Sequence, residues 1–196
     1  GAPGDAQVSA GRSDTASPGE KTVAASVAAD DGEIKPGTQR VVAENESGVS
    51  YQKLFAPCLE GATTVELVDP YIRNFHQVKN LFEFLQTVMQ LQDVGDEVTV
   101  NLVTSRASDW AGHQENLLEQ VRDSFAGTPV NFTYSITDDK SLHARHITTD
   151  TGWKISLDRG LDIFQPFDRK DAFSLQSTMQ EARRCRAFEV TYLRNE

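Results

Sequence analysis

From Val49 onward, hydrophobic side chains recur with a period short enough to divide the chain into helices and strands by spacing alone. Tyr51, Leu54, Phe55 and Leu59 fall three or four apart behind Ser50, a good N-cap, and ahead of Gly61. They predict a short helix that Pro57 should leave irregular or broken. Thr63–Val68 is a β-rich run closed by Asp69-Pro70 and predicts the first strand. Asn74 and Gln77 then open a second helix, with Phe75, Val78, Leu81, Phe82, Leu85, Val88 and Met89 predicted inward. Val98–Thr104 is nearly continuous in β-formers, as an interior strand requires. A third helix is expected from Asp109 to Phe125, turning Trp110, Leu117, Leu118, Val121 and Phe125 inward before Gly127-Thr128-Pro129 stops it. Val130, Phe132, Tyr134 and Ile136 alternate with polar residues in a half-buried strand.

The alternation of helix and strand to this point predicts an α/β fold with parallel pairing and right-handed crossovers. Beyond Thr137–Lys140 the pattern changes to strands alone. Leu142–Thr149 and Trp153–Leu157 read as a hairpin joined at Asp150-Thr151-Gly152, and Ala187–Leu193 reads as a last strand. In that hairpin His143 and Arg145 would share one strand face, with Asp150 at the bend. Upstream, Gly1 to Glu46 has no aromatic residue and only isolated Val and Ile, too little apolar area to offset the entropy of ordering it. The expected organisation is a flexible linker over residues 1–47, cut from a longer parent chain, and one domain over residues 48–196.

Charge narrows the function. The formal net charge is −10, and residues 1–47 hold four Lys/Arg against eight Asp/Glu, so the acidity runs on into the domain. Bulk charge therefore disfavours anionic membranes and leaves nucleic acid only a local patch. No run approaches the ~20 apolar residues of a membrane span, and the N-terminus lacks signal-peptide order, so a cytoplasmic location is expected. Cys58 and Cys185 have no zinc-site spacing and read as reduced thiols; neither a metal nor a cofactor is predicted.

The chemistry-bearing stretch is Leu142–Phe164, LHARHITTDTGWKISLDRGLDIF. His143, Arg145 and Asp150 stand there as H-x-R-x4-D, a close relative of the half-site of phospholipase-D-type phosphodiesterases. In those enzymes an imidazole attacks phosphorus, a cation holds the non-bridging oxygens and a carboxylate helps set the state of the histidine. Arginine can clamp a phosphate here but is no neutral replacement for lysine. His143 can equally be a hydrogen-bonded histidine in a crevice. Arg73, Arg145 and Arg159 suit internal ion pairs with Asp69, Asp150 and Asp162 as well as they suit an anion site. Arg183, Arg184 and Arg186 read most simply as a solvated basic strip, and His76, His113 and His146 as surface or packing residues.

Asp69-Pro70-Tyr71-Ile72-Arg73, His76-Gln77, Asn80-Leu81, Gly152-Trp153, Ile155 and Arg159-Gly160-Leu161-Asp162 occur in that order, and together they resemble a known family. It is the phospholipase-D-like domain of the MIT C-terminal family. Members lie C-terminal to the microtubule-interacting-and-transport domain of a eukaryotic cytokinesis protein, or at the ends of bacterial Lon-related AAA+ ATPases, BREX-type phage-defence proteins among them. The resemblance spans residues 48–194. It implies a three-layer sandwich with a mixed, partly parallel sheet flanked by helices, and pairing as a homodimer.

It further implies a ligand pocket drawn from Asp69, Tyr71 and Arg73 early in the chain and His143, Arg145, Trp153 and Arg159 later. Arg183 and Cys185 match a late R-x-C, with Arg184 where a Pro is expected, while Ala144 and Asp158 replace the usual Asp and Gly. The implied function is a non-catalytic or vestigial interaction domain, with the ATPase ring of its parent chain or another protein as partner and a phosphate-containing ligand as a candidate. The alternatives are a metal-independent phosphodiesterase or nuclease completed across a dimer, using His143, Arg145 and Asp150, and binding of acidic phospholipid as in the eukaryotic member.

Overall fold

The computed structural model describes residues 33–108 and 111–195, in which a seven-stranded sheet is ordered β1-β7-β6-β5-β2-β3-β4. β2 (Thr64–Val68), β3 (Val98–Ser105) and β4 (Val130–Thr137) are parallel. β5 (His146–Thr149), β6 (Trp153–Leu157), β7 (Phe188–Arg194) and β1 (Thr38–Val42) continue it antiparallel. The mixed, partly parallel α/β sheet expected from the alternation is therefore present. Its change of sense falls between β2 and β5, where helical crossovers give way to hairpins.

The helices α1 (Tyr51–Leu59), α2 (Phe75–Gln90) and α3 (Ala111–Phe125) pack against one another, and their apolar residues join those of the sheet in one core. Leu54, Phe55, Leu81, Phe84, Leu85 and Leu118 meet Val65, Leu67, Val100, Leu102, Ile147, Ile155 and Val190 there, all essentially buried. Each such side chain contributes about 1.5–3 kcal/mol of transfer free energy. The opposite sheet face carries Glu66, Asn131, Thr133, Lys154 and Glu189, all exposed. With four α-helices beside this sheet among the described residues, the architecture is the mixed α/β fold that the resemblance implied.

Four expectations need correction. The chain is in register well before Val49: Thr38–Val42 pairs with Phe188–Tyr192, so the span read as linker contributes an edge strand; residues 1–32 lie outside the described ones. Its composition hid it, because an edge strand buries only one of its residues, Val42. Pro57 does not break α1, which runs through it with Lys53 N–H capped by Ser50 Oγ at 3.1 Å. Phe75 is 61% exposed and Phe84 takes its place in the core, since the buried apolar face of α2 starts only at Val78. Trp110 lies outside the described residues.

The fourth correction bears on function. β5 starts at His146, so His143 and Arg145 precede the strand in a loop and do not share a strand face. Among the described residues, no helix is long and apolar enough to cross a membrane.

Candidate functional site

One rim of the sheet gathers the carboxyl end of β2, the start of β5, where Val68 pairs with His146, and the exit of β6. Open α/β sheets place their ligands at this end of the parallel strands. The chain leaves β2 as Asp69-Pro70-Tyr71-Ile72-Arg73, and the turn is pinned at both ends. Asp69 Oδ1 accepts from Tyr71 N–H at 3.0 Å, and Gln77 Oε1 accepts from Arg73 N–H at 2.9 Å. The same Gln77 oxygen takes Asn74 N–H at 3.3 Å, so the start of α2 is tied to the loop ahead of it.

A cavity of about 190 Å³ opens here, lined by Asp69, Tyr71, Ile72, Gln77, Asn80, Arg145, Arg159, Leu161 and Asp162. The Arg145 guanidinium carbon lies over the Tyr71 ring, 4.1 Å from its centroid, with that of Arg73 also over the ring at 5.4 Å. The Arg145 guanidinium makes no hydrogen bond or ion pair within the described residues. Arg159 and Arg73 each commit only Nε, to the carbonyls of Ala187 (2.9 Å) and Pro70 (3.0 Å). Among the described residues none of these three arginines pairs with Asp69, Asp150 or Asp162: Asp162 pairs with His76 instead, Nε2 to Oδ1 at 3.1 Å. Guanidinium nitrogens left without acceptors beside an aromatic face are suited to hold an oxyanion in a fork.

Asp69 is 4% exposed. Burial pushes its carboxyl above the ordinary value, opposed by the Tyr71 and Leu161 amides and by the charge of Arg145. Gly160, at φ +58°, lets the β6 exit pass against it. A Cβ there would fall within the carboxylate, 2.9 Å from Asp69 Cγ and 3.1 Å from Arg145 Cδ. Leu161 is held beyond that point by Tyr51 Oη, which donates to its carbonyl at 2.6 Å.

His143 stands exposed on the other side of Tyr71, its Nδ1 3.3 Å from the phenol oxygen. It lines a second cavity of about 410 Å³ with Tyr71, Arg73, Arg106 and Lys140. The carboxylate of the H-x-R-x4-D pattern is elsewhere. Asp150 lies past the far end of β5, about 16 Å along the strand from Arg145 at ~3.3 Å per residue. It accepts from Thr63 N–H at 3.0 Å and from Thr63 Oγ1 at 2.5 Å, and these bonds hold its pKa below the ordinary value. It cannot orient His143.

Two further candidates are also structural. Trp153 is buried at that same far end, with the Arg194 guanidinium 5.1 Å from its ring. Arg183 is 2% exposed, not solvated, and is paired in bidentate fashion with Glu83 at 2.7 Å on both nitrogens. Asp69, Tyr71, Arg145 and Arg159 thus meet in one cavity, Arg73 and His143 flank it, and Asp150, Trp153 and Arg183 face away. Sequence reasoning gave Asn80, Gln77 and Asp162 no place in the cavity. For Asn80 a signal existed, since it falls one turn ahead of Phe84 on the buried side of α2. Among the described residues no group of three or more His, Cys, Asp or Glu is placed to hold a metal ion.

A mixed sheet with a histidine and an arginine two apart, beside a cleft at its rim lined by Arg145 and Arg159, is the architecture of a phospholipase-D-like domain. Residues 48–194 match MIT_C, the phospholipase D-like domain at the C-terminus of MIT, and the chain belongs to that family. It is 34% identical over 128 residues to MIT domain-containing protein 1 of the mouse, Mus musculus; the match covers 63% of this chain and 49% of the relative. The chain thus spans about half the length of the curated relative it matches.

Proposed function

We propose that this is a non-catalytic phospholipase-D-like interaction domain that holds a phosphate group in the Asp69–Arg145–Arg159 cavity. The observation that carries the reading is Arg145: a half-buried residue whose guanidinium lies over the Tyr71 ring and whose nitrogens have no acceptor among the described residues. Pairing with a second copy belongs to the same reading, because the enzymes of this fold carry two half-sites and this chain carries one. Within a parent chain, a Lon-related ATPase being the one the resemblance implies, such a pair would join the module to its partner. The overall charge of −10 argues that the phosphate is not one of many on an anionic bilayer.

Calorimetric titration of the whole chain with methyl phosphate tests this. Saturable binding that weakens ten- to hundredfold in Arg145→Ala is expected, the worth of one or two charge-assisted hydrogen bonds. Absence of saturable binding, or an Arg145→Ala affinity within twofold of wild type, would overturn it. Sedimentation with phosphatidic acid vesicles should show no binding.

One observation favours phosphodiester cleavage across a dimer: His143 is exposed and only its Nδ1 is engaged. Its partner there is a phenol, not a carboxylate, and Asp150 is committed to Thr63. Bis(p-nitrophenyl) phosphate in EDTA is therefore expected to stay intact; turnover lost in His143→Ala would establish the enzyme instead.

A further inference from the structure

β4 is the last strand of the sheet, and no strand among the described residues pairs with its outer edge. Its ladder with β3 fixes which backbone groups are left over. Val98 N–H donates to the Pro129 carbonyl at 2.9 Å and Arg106 N–H to that of Thr137 at 3.0 Å, and the residues between alternate in a parallel pair. Asn131, Thr133 and Ser135 therefore bond to β3, while Phe132, Tyr134 and Ile136 turn N–H and C=O outward. Val130 also faces out, but Thr128 Oγ1 accepts from its N–H at 3.2 Å.

Edge strands are ordinarily guarded by charge, proline or shortness. β1, at the opposite edge, is guarded in all three ways: it has five residues, Pro36 stands just ahead of it, and Arg40 in its middle pairs with Glu46. β4 runs for eight residues, VNFTYSIT, with no charge and no proline. Tyr134 and Ile136 leave apolar surface half-exposed along it.

The flank of that edge is acidic. α3 lies over β4, and Glu119 accepts from the Tyr134 hydroxyl. Arg122 pairs with Glu119, and Arg106 is shared between Glu115 and Asp138, so three carboxylates hold two guanidinium groups between them. Asp123 and Asp139 are exposed as well, against Lys140. A second copy would bring the same carboxylates to the junction and be repelled. An extended segment with Lys or Arg at alternate positions would lay its stems on Tyr134 and Ile136 and carry its charges to Glu115 and Glu119. We propose that β4 is the docking edge for an extended basic segment of a partner protein, which joins the seven-stranded sheet as a further strand. No residue of β4 lines the Asp69–Arg145–Arg159 cavity, so partner docking and phosphate binding are separable.

Amide hydrogen exchange on the dilute full chain is the first test. The amides of Phe132, Tyr134 and Ile136 should exchange freely, and those of Asn131, Thr133 and Ser135 should be protected. Protection of the outward set would mean that a second copy or residues 1–32 already hold the edge, and would overturn the proposal. Titration of the isotope-labelled chain with acetyl-TKVKVKT-amide should then shift the outward amides, with acetyl-TEVEVET-amide binding at least tenfold more weakly. Ile136→Pro deletes one outward donor, a change that edge strands tolerate, and should weaken the lysine peptide about tenfold. Glu119→Gln, which keeps an acceptor for Tyr134, should weaken it about two- to fivefold. Urea unfolding of each variant establishes that it is folded. Absence of saturable binding at millimolar peptide, equal binding of the two peptides, shifts centred away from β4, or full affinity in either folded variant would each overturn the proposal.

Discussion

Removing Glu83 tests the largest reassignment the structure makes. Arg183, a candidate ligand residue by resemblance and a solvated strip by composition, is instead a buried strut. Its two terminal nitrogens reach Glu83 at 2.7 Å each and its Nε reaches the Gln176 carbonyl at 2.8 Å. Its guanidinium also sits 4.5 Å from the Phe167 ring centroid and 5.4 Å from that of Phe164. The side chains are 2% and 11% exposed, so solvent screens the pair little. Glu83→Ala strands the guanidinium without its counter-charge, for which about 3–5 kcal/mol is the usual cost. For a domain of this size that lowers the midpoint by roughly 6–20 °C. Urea denaturation followed by tryptophan fluorescence measures it directly. Methyl phosphate affinity of the folded variant should stay within twofold, since neither residue lines the cavity. A loss below about 1 kcal/mol would refute the buried-pair argument, and a selective loss of phosphate binding would return Arg183 to the ligand site.

Gly160→Ala combines a left-handed φ with a clash against Asp69 and should cost about 2–4 kcal/mol in urea unfolding; a neutral substitution would mean that the β6 exit does not press on that carboxyl. Burial raises the folded pKa of Asp69 above its unfolded value, so its carboxyl contributes fully below the ordinary carboxylate range and less as pH rises through the folded pKa. Wild type should therefore exceed Asp69→Asn in stability by more at pH ~4 than at pH ~7; a gap that widens with pH would contradict this. Burial pushes the Cys58 thiol up to about 12 and that of Cys185 to about 11, so iodoacetamide at neutral pH should label neither in the native protein and both in guanidinium. Rapid native labelling would show that one of these thiols is accessible.

Local physics made most of the elements readable from the chain. Ser50 and Gln77 cap their helices, the alternation of Val130 to Ile136 exposes one strand face, and the turn at Asp150-Thr151-Gly152 joins two strands, all interactions among near neighbours in sequence. Asp69, Tyr71, Arg145 and Arg159 could also be named, because their motifs stand at strand ends where ligand groups gather. Three other features needed the folded chain. β1 is a strand only because β7 offers it an edge, Arg183 is a strut only because Glu83 lies opposite, and Asn80 lines a cavity only because Arg145 ahead of β5 and Arg159, Leu161 and Asp162 beyond β6 come to the same place. The separation of Asp150 from His143 is of the same kind. Four strand residues lie between Arg145 and Asp150, and an extended backbone carries the carboxylate to the far rim of the sheet. Side-chain spacing along a chain reports periodicity, whereas the partner of a buried charge is set by contacts between segments a hundred residues apart.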